Sequence, residues 1–427
     1  MEVYKFGGAS INTIDRIRNL AEILKYGGDK KLIVVSALGK TTNALEHVVE
    51  AFCAERKEDA LTLFSMIKQN HLDVLKELVV TGLSEATEQL GNFFTEAEWL
   101  LYDKPVRDYS YYYDQIVCIG EFLSSIIVSA YLQEAGFRNI WLDVRDVIRT
   151  DDAFQSAKID WSFTSYKVDT LIRPAFLESE LVITQGFIGC TDENESTTLG
   201  REGSDYSAAV FANLLDATSL TIWKDVQGIM NADPKEFEDA VFIPALSYDE
   251  VIEMAFYGAQ VIHPDTIKPV ENKNIPLHVK CFLNPAAQGT IITKNHVHQL
   301  PPIKVIKHKQ VLLKLSSMDF SFVGEKPVAR LYELFAELKI RPNLLHTTAI
   351  SILCCLDDIP EKIEKIAIAA SDLFEVQIEK GLELLTIRHY TKEILSNLEI
   401  SDMILMEQKT PETMQVLMRS LQLTTGV

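Results

Sequence analysis

The chain has 427 residues, of which 47% are hydrophobic and 24% charged, as in an ordinary water-soluble globular protein. Its formal net charge is −20, which argues against a nucleic-acid-binding protein, although a local basic pocket could still hold a nucleotide. No signal sequence and no apolar run of about 18 residues is evident, so we expect a cytoplasmic protein without a membrane span. Six cysteines without a CxxC pair predict free thiols rather than disulfides or a metal site.

The first part of the chain alternates short β-rich segments with longer helical patterns. The predicted strands are 2–7, 31–38, 139–144, 181–187, 220–226 and 276–282. Helical periodicity lies between them, for example over 14–27 and 121–136, and an all-helical insertion is predicted over about 47–105. This alternation is typical of an α/β layered structure with a mainly parallel sheet.

The pattern changes near residue 291, where two prolines and scattered lysines predict a linker over 291–308. Beyond the linker, a β-α-β-β-α-β order over 311–390 predicts a ferredoxin-like α+β module. Two more strand-like segments, 401–408 and 414–420, follow the short helical pattern 391–398 and predict a second, shortened module. The expected domains are therefore 1–290 and 309–427.

The segment 184–210 combines several features of an anion-binding site. An apolar run leads into a polar loop, and an apolar helix begins directly after it. Gly200 and Gly203 would let the backbone approach a ligand, and we expect Ser204 or Asp205 to cap the helix. Arg201 beside the helix N-terminus offers a forked donor for a carboxylate or phosphate. The alternative is a capped surface loop.

The end of the first predicted strand is a second candidate for phosphate binding. Lys5 lies in the strand, Gly7 and Gly8 follow it, and Ser10 precedes a helix. Two glycines let backbone amides surround phosphate oxygens, and the lysine supplies a point charge. Glycine pairs at strand ends are common, so this motif alone is equally compatible with an ordinary turn.

The segment 36–43 invites comparison with a P-loop, which needs a glycine five positions before Gly39. Val34 stands there, so we reject the P-loop. Ser36 and Thr42 remain as hydroxyl groups that could orient a small polar ligand. Glu121, in the first turn of an apolar helix, is either stabilised by the helix dipole or faces a ligand ammonium. We expect the tyrosines before it, Tyr109 and 111–113, to serve packing.

The segment 223–235 follows another predicted strand. Asp225 and the turn at Gly228 stand where nucleotides lie in α/β sheets, although the same residues make an ordinary turn. Ser247 and Glu250 form a capping box, and His263 is expected to cap a helix. The histidines near the linker have no matching acidic or cysteine residues, so no metal site from protein side chains is assigned.

Taken in order, these segments resemble the aspartate kinases of the amino acid kinase family. The resemblance covers the first 285 residues and rests on KFGGAS, VVSALGKTTN, IGE, DVRDVIRTDD, TTLGREGSDYSAA, WKDVQGIMNADPK and EMAFYGAQVIHPDTIKP. The C-terminal part is similar to the paired ACT domains of that family. The resemblance implies an amino acid kinase-like sandwich that uses ATP and Mg²⁺ to phosphorylate the L-aspartate side chain. The product, 4-phospho-L-aspartate, begins lysine, threonine and methionine synthesis.

The resemblance also implies roles for individual residues. The catalytic residues would be Lys5, on the transferring phosphoryl group, and Asp205, orienting Lys5 or the phosphates. The aspartate site would comprise Ser36, Thr42, Glu121 on the ammonium, Arg201 on the α-carboxylate, and Ser204. The ATP site would comprise Lys5, Gly7, Gly8, Ser10, Trp223, Lys224, Asp225, Gly228, Met230, Asp233, Lys235 and Gln260. A homodimer through the ACT region and lysine or threonine as effector are further implications.

Three positions depart from the family pattern. Glu202 replaces a common glycine, Met230 a frequent tyrosine, and Gln260 a lysine that often touches ATP. These changes concern ATP affinity more than identity. Two alternatives remain from the residues: a glutamate or carbamate kinase, which would share the fold, and a non-catalytic amino-acid sensor that keeps the ACT-like tail.

Overall fold

The computed structural model describes residues 1–26, 28, 30–319, 321–391, 394 and 403–419. The chain divides into two compact units. We call residues 1–229, 242–252 and 261–297 the N-terminal unit, and residues 230–241, 253–260 and 298–427 the C-terminal unit. The predicted domain limits, 1–290 and 309–427, remain a prediction.

An eight-stranded sheet forms the centre of the N-terminal unit. Its strands are β1 (Glu2–Phe6), β2 (Lys31–Val35), β3 (Asn139–Trp141), β4 (Leu181–Gln185), β7 (Ser219–Lys224), β8 (Ala245–Ser247), β9 (Leu277–Cys281) and β10 (Thr290–Thr293). Their order is β3-β4-β2-β1-β7-β9-β10-β8, and neighbours are parallel except β9 with β10. A separate hairpin joins β5 (Ile188–Cys190) to β6 (Ser196–Thr198). The mainly parallel sheet predicted from the sequence is confirmed.

Helices accompany this sheet. They are α1 (Ile14–Ile23), α2 (Thr41–Cys53), α3 (Lys57–Leu78), α4 (Leu83–Tyr102), α5 (Tyr109–Val117), α6 (Ile119–Glu134), α7 (Trp161–Lys167), α8 (Arg173–Glu178), α9 (Gly203–Leu214), α10 (Tyr248–Phe256) and α11 (Pro264–Asn272). The residues of α10 from 253 onward belong to the C-terminal unit. The predicted helical insertion corresponds to most of α2 and to α3 and α4. Ser247 Oγ accepts a hydrogen bond from Glu250 N at 3.2 Å, and the His263 side chain caps α11, as predicted.

The core of the N-terminal unit explains its strongly apolar segments. Every residue of β2 and β4 is buried, as expected for parallel strands that are covered on both faces. The stretch Tyr109–Glu134 is long and apolar enough, by length and composition, to cross a membrane. Its most apolar window is 83% buried inside the protein, as in the core helix of a folded domain.

An antiparallel sheet of six strands forms the C-terminal unit, in the order β12-β13-β11-β14-β16-β15. The strands are β11 (Ile303–Ser316), β12 (Leu344–Thr347), β13 (Ser351–Asp357), β14 (Glu375–Arg388), β15 (Ile404–Lys409) and β16 (Thr413–Arg419). Helices α12 (Glu325–Glu337) and α13 (Pro360–Ala370) complete the predicted β-α-β-β-α-β order. Leu313, Phe335 and Ile366 belong to the apolar core of this module.

Two predictions from the sequence, the linker 291–308 and the short helix 391–398, have different outcomes. The predicted linker 291–308 contains strand residues, since β10 reaches Thr293 and β11 begins at Ile303. One proline pair and scattered lysines are typical of a connector, but from Ile303 the chain pairs with β14, and from Gln310 it pairs with β13 as well. The predicted short helix 391–398 lies, apart from residues 391 and 394, outside the described residues.

Candidate active site

A cleft opens at the carboxyl ends of the adjacent strands β4, β2, β1 and β7. Their register places Phe6 beside Val35 and Trp223, and Val35 beside Gln185, so the strands end at one level. The next strand along the chain, β2, lies on one side of β1, whereas β7 lies on the other side of β1. Such a reversal of direction at the carboxyl ends of parallel strands is where α/β proteins bind ligands. The cleft has a volume of about 800 Å³.

Most of the residues predicted from the sequence meet in this cleft, and all of those that line it belong to the N-terminal unit. The predicted residues that line it are Lys5, Gly7, Gly8, Ser10, Ser36, Thr42, Glu121, Arg201, Ser204, Asp205, Trp223, Lys224 and Asp225.

The glycine turn after β1 is tightly packed against the turn after β2. A Cβ atom on Gly8 would lie 2.6 Å from the Ala37 carbonyl oxygen and 2.9 Å from that of Gly39. Gly39 N also donates a hydrogen bond to Gly8 O at 3.2 Å. A Cβ atom on Gly7 would lie 3.3 Å from Lys5 Nζ, so the open side of this turn faces the lysine. The two turns therefore form one backbone wall beside a cation.

Lys5 and Asp205 form a buried ion pair at the centre of the cleft. Lys5 Nζ lies 2.6 Å from Asp205 Oδ1, and Lys224 Nζ lies 3.9 Å from Asp205 Oδ2. Burial alone would raise the pKa of Asp205, but the charges of Lys5 and Lys224 outweigh it and hold that pKa below its usual range. One carboxylate thus stands between two cations, and the cluster carries excess positive charge that suits phosphate oxygens.

Glu121 is a buried carboxyl group in the first turn of α6, and it also lines the cleft. Its Oε1 accepts a hydrogen bond from Ala37 N at 3.2 Å, while its Oε2 is buried and has no hydrogen-bond partner among the described residues. Burial raises the pKa of Glu121 to about 8, although the Ala37 N–H and the Lys5 charge oppose the rise. An unpartnered buried carboxyl oxygen is costly, so this position favours a cationic ligand group.

The loop before α9 differs from its prediction in one respect. The residue that precedes α9 is Glu202, and neither Ser204 nor Asp205 caps the helix, because both lie in its first turn. Glu202 has a left-handed backbone (φ 54°), a conformation that favours glycine. Its Oε2 accepts a hydrogen bond from His263 N at 3.0 Å. Arg201 is exposed, and no carboxylate pairs with it among the described residues.

Three predicted hydroxyl residues occupy different environments. Ser10 is buried, and its Oγ donates a hydrogen bond to the Trp223 carbonyl oxygen at 2.9 Å, so this hydroxyl joins β7 to the turn after β1. Ser36 and Thr42 are half-buried at the start of the turn and of α2. These two side chains are therefore the hydroxyl groups of the set that remain open to a ligand.

Five predicted ATP-site residues are not among those that line the described cleft. Gly228 is packed tightly against another segment of the same chain, since a Cβ atom there would lie 2.6 Å from Thr290 Oγ1. The others belong to the C-terminal unit, and their roles stay predictions: Met230, Asp233, Lys235 and Gln260. Within that group, Asp233 Oδ1 accepts a hydrogen bond from Lys235 N at 2.9 Å, which indicates a local turn.

Several cleft residues were not found from the sequence. Tyr109 and Tyr113, which we expected to serve packing, line the cleft together with Gln155, Phe187 and Thr198. The Tyr113 hydroxyl donates a hydrogen bond to Glu46 Oε1 at 2.9 Å, so Tyr113 also has a structural contact. The four-residue spacing of the tyrosines on the helix before Glu121 was a signal that one helix face could reach the site.

Comparisons with known proteins identify the family of this chain. Residues 1–281 match the amino acid kinase family. The lysine-sensitive aspartokinase 3 of Escherichia coli strain K12 is 31% identical over 398 residues, or 90% of this chain and 86% of the relative. The chloroplastic aspartokinase 1 of Arabidopsis thaliana is 30% identical over 421 residues, or 94% of this chain and 72% of the relative.

Solved structures show the same similarity. The structure of E. coli aspartokinase III with aspartate and ADP, in its R state, has a TM-score of 0.80 at 29% identity. The similarity covers 98% of this chain and 96% of the E. coli chain. The same enzyme with lysine and aspartate, in its T state, has a TM-score of 0.79. The chain therefore belongs to the amino acid kinase family, and within it to the aspartokinases.

Proposed function

We propose that this chain transfers the γ-phosphoryl group of MgATP to the side-chain carboxylate of L-aspartate. One carboxylate oxygen forms the new P–O bond, the bond to the β-phosphate oxygen breaks, and ADP and 4-phospho-L-aspartate leave. The buried Lys5–Asp205 pair, 2.6 Å apart in a cleft with glycine turns, is the observation that carries this proposal. The E. coli relative, whose structure holds aspartate and ADP, supports the choice of substrates.

The chemistry requires positioning and charge neutralisation rather than a general base. The side chain of free aspartate, with a pKa of about 3.9, is already ionised at pH 7 and is ready to attack. Lys5 would neutralise charge on the transferring phosphoryl group, while Asp205 fixes the position of its ammonium. Lys224 adds a second positive charge at the end of β7. Fixed charges of this kind stabilise a phosphoryl-transfer transition state.

The acceptor side of the cleft suits an α-amino acid. Glu121 offers its unpartnered Oε2 to the substrate ammonium, and Arg201, which forms no ion pair among the described residues, is available for the α-carboxylate. Ser36 and Thr42 would complete this end of the site, and Ser204 lies at the start of α9. Backbone groups at Gly7 and Gly8 would contact the phosphates on the other side of Lys5.

Magnesium would enter as part of the nucleotide substrate. Among the described residues, no group of three or more acidic, histidine or cysteine side chains could hold a metal ion. Asp205 already forms ion pairs with Lys5 and Lys224, so the phosphate oxygens would supply most of the ligands to Mg²⁺. Mg²⁺ would neutralise phosphate charge during transfer.

Further properties follow from the family. We propose a homodimer through the C-terminal unit, because β12 and β15 are edge strands that could extend their sheet. We propose lysine as the effector, because the E. coli relative is lysine-sensitive and its structure holds lysine. We also propose a cytoplasmic location, which the six free cysteines support.

The test is ADP release with MgATP and L-aspartate, L-glutamate, carbamate or no acceptor. We expect turnover that depends on aspartate and is at least about tenfold faster than with glutamate, because an extra methylene must fit the same site. Turnover with glutamate or carbamate instead would contradict the proposal. Aspartate binding without turnover would favour the non-catalytic amino-acid sensor instead. The intact Lys5–Asp205 pair supports catalysis.

A further inference from the structure

Asp114 is a buried carboxylate that the proposed mechanism does not use. It lies in α5, its side chain is fully buried, and no basic side chain forms an ion pair with it in the described part of the chain. Charged groups are rarely buried without a partner, because removing them from water is costly. The position of Asp114 therefore needs an explanation in the hydrogen bonds that it accepts.

Two segments that are distant in sequence donate to this carboxylate. Gln155 N lies 3.1 Å from Oδ1 and 3.0 Å from Oδ2. Thr198 donates twice, from its N to Oδ2 at 2.8 Å and from its Oγ1 to Oδ1 at 2.7 Å. Burial raises the pKa of Asp114 to about 6, and these hydrogen bonds oppose the rise. Asp114 thus joins the loop around Gln155 to strand β6.

Both donors line the cleft, and both are close to the proposed acceptor site. Ala157 N donates to Thr198 O at 3.0 Å, which joins the two segments a second time. A Cβ atom on Gly200 would lie 3.2 Å from the Gln155 carbonyl oxygen, so the loop rests on the residue before Arg201. A chain of direct contacts therefore leads from Asp114 to the backbone that carries Arg201.

We propose that Asp114 is a positioning residue for the acceptor, acting through Gln155 and Thr198 to hold the cleft wall beside Arg201. This inference rests on the proposed function. A neutral amide cannot replace the carboxylate, because three donor groups converge on its two oxygens, and an asparagine would present an NH₂ group to some of them. The wall would then loosen on the aspartate side of the cleft.

The decisive variant is Asp114→Asn. We expect the KM for aspartate to rise at least about tenfold, the scale of a lost charge-assisted hydrogen bond, while the KM for ATP stays within about twofold. Amide hydrogen exchange over 151–158 and 196–201 should speed up at least about tenfold in the same protein. If Asp114 only stabilised the fold, Asp114→Asn would lower the amount of active protein and leave the KM values for aspartate and ATP unchanged.

The chain offers a matched control in Gln115. Its side chain donates to Ser196 O at 2.7 Å and accepts from Ser196 N at 3.1 Å, so it binds the same strand. Within the described residues, neither Gln115 nor Ser196 lines the cleft. We expect Gln115→Ala to lower the melting temperature and to leave the KM for aspartate unchanged. If this control raises that KM as much as Asp114→Asn does, general loosening of β6 explains the effect and the proposal is wrong.

A milder variant covers the case in which Asp114→Asn does not fold. Thr198→Val removes one of the donors while keeping the shape of the side chain, and we expect it to raise the KM for aspartate by a smaller factor. An unchanged KM for aspartate in a folded variant, or unchanged exchange over 151–158, would overturn the positioning role. If the wild-type chain shows no aspartate-dependent turnover, the proposed function fails, whereas hydrogen exchange still decides whether Asp114 orders this wall.

Discussion

Lys5 and Asp205 compensate each other's charge at the centre of the cleft, where both side chains are buried. The place of Lys5 at the end of a strand, before two glycines, indicated a phosphate-binding charge, but Asp205 lies 200 positions away along the chain. The ion pair with Asp205 was expected from family resemblance rather than from the residues themselves. The structure adds the reason for the pairing, since both side chains are buried and each compensates the charge of the other.

Lys5→Ala should lower kcat at least about 100-fold, because a fixed charge at the transferring group is lost. It should also lower the free energy of unfolding, by up to about 3–5 kcal/mol, since Asp205 stays buried and Lys224, at 3.9 Å, is its remaining basic partner among the described residues. Turnover and chemical denaturation measure the two effects. The control is Lys30→Ala at an exposed position, which should change neither. Near-normal turnover in a folded Lys5→Ala protein would refute the proposed role of Lys5.

Glu121→Gln should change how stability depends on pH. The pKa of Glu121 is raised from 4.5 to about 8 by burial, so between these values the folded protein keeps a proton that the unfolded chain has lost. This contribution to stability is complete below pH 4.5 and is lost as pH rises through 8. The glutamine variant lacks this contribution. Between pH 5 and pH 9, the melting temperature of Glu121→Gln should therefore rise relative to that of the wild type. A constant difference across this range would contradict the raised pKa.

The same variant tests the binding of aspartate. A substrate ammonium favours the ionised form of Glu121, so the KM of the wild type for aspartate should fall as pH rises toward 8. Glu121→Gln should have a higher KM at every pH and lack this dependence. Initial rates at several pH values measure both. An equal pH dependence in the two proteins would show that another group is responsible.

At the scale of elements, strong periodicity was the reliable guide. The long helices around 47–105 and the buried strands β1, β2, β4 and β7 follow from apolar patterns that secondary structure requires. The three-residue strands β5, β6 and β8 are too short for any period to identify them. The strand β11 was partly missed, because its first residues lie among lysines and follow two prolines.

Gly8→Ala tests the packed turns that form the phosphate wall. An added Cβ would lie 2.6 Å from the Ala37 carbonyl oxygen, so the backbone must shift, and we expect a loss of about 1–3 kcal/mol in stability and a higher KM for ATP. Gly91→Ala is the matched control in the interior of α4, where a Cβ meets nothing within 4 Å. It should stabilise the protein by up to about 1 kcal/mol. Thermal unfolding and ATP titrations compare the two variants, and equal stabilities would contradict the steric argument.

At the scale of the whole molecule, two compact units of different construction share one chain. The N-terminal unit holds every residue that lines the cleft, whereas the C-terminal unit is built on an antiparallel sheet. The sequence predicted this difference because parallel and antiparallel sheets impose different patterns of connection and length. It could not predict that short segments near residues 230–241 and 253–260 belong with the second unit, because such contacts depend on tertiary packing.

A dimer that responds to lysine is the prediction at this scale. Light scattering should give about twice the chain mass of 48.2 kDa. Lysine should lower aspartate-dependent turnover, and threonine at the same concentration serves as the comparison. A monomer would contradict the proposed use of the edge strands β12 and β15. Inhibition by threonine alone would assign the effector differently.

The most direct test of the central claim is to trap the product. The purified chain is incubated with MgATP, L-aspartate and hydroxylamine, which converts an acyl phosphate to a stable hydroxamate. We predict aspartyl hydroxamate in amounts equal to the ADP released, and neither product without aspartate. ADP release without hydroxamate, or a hydroxamate that forms only from glutamate, would contradict the assignment as an aspartate kinase.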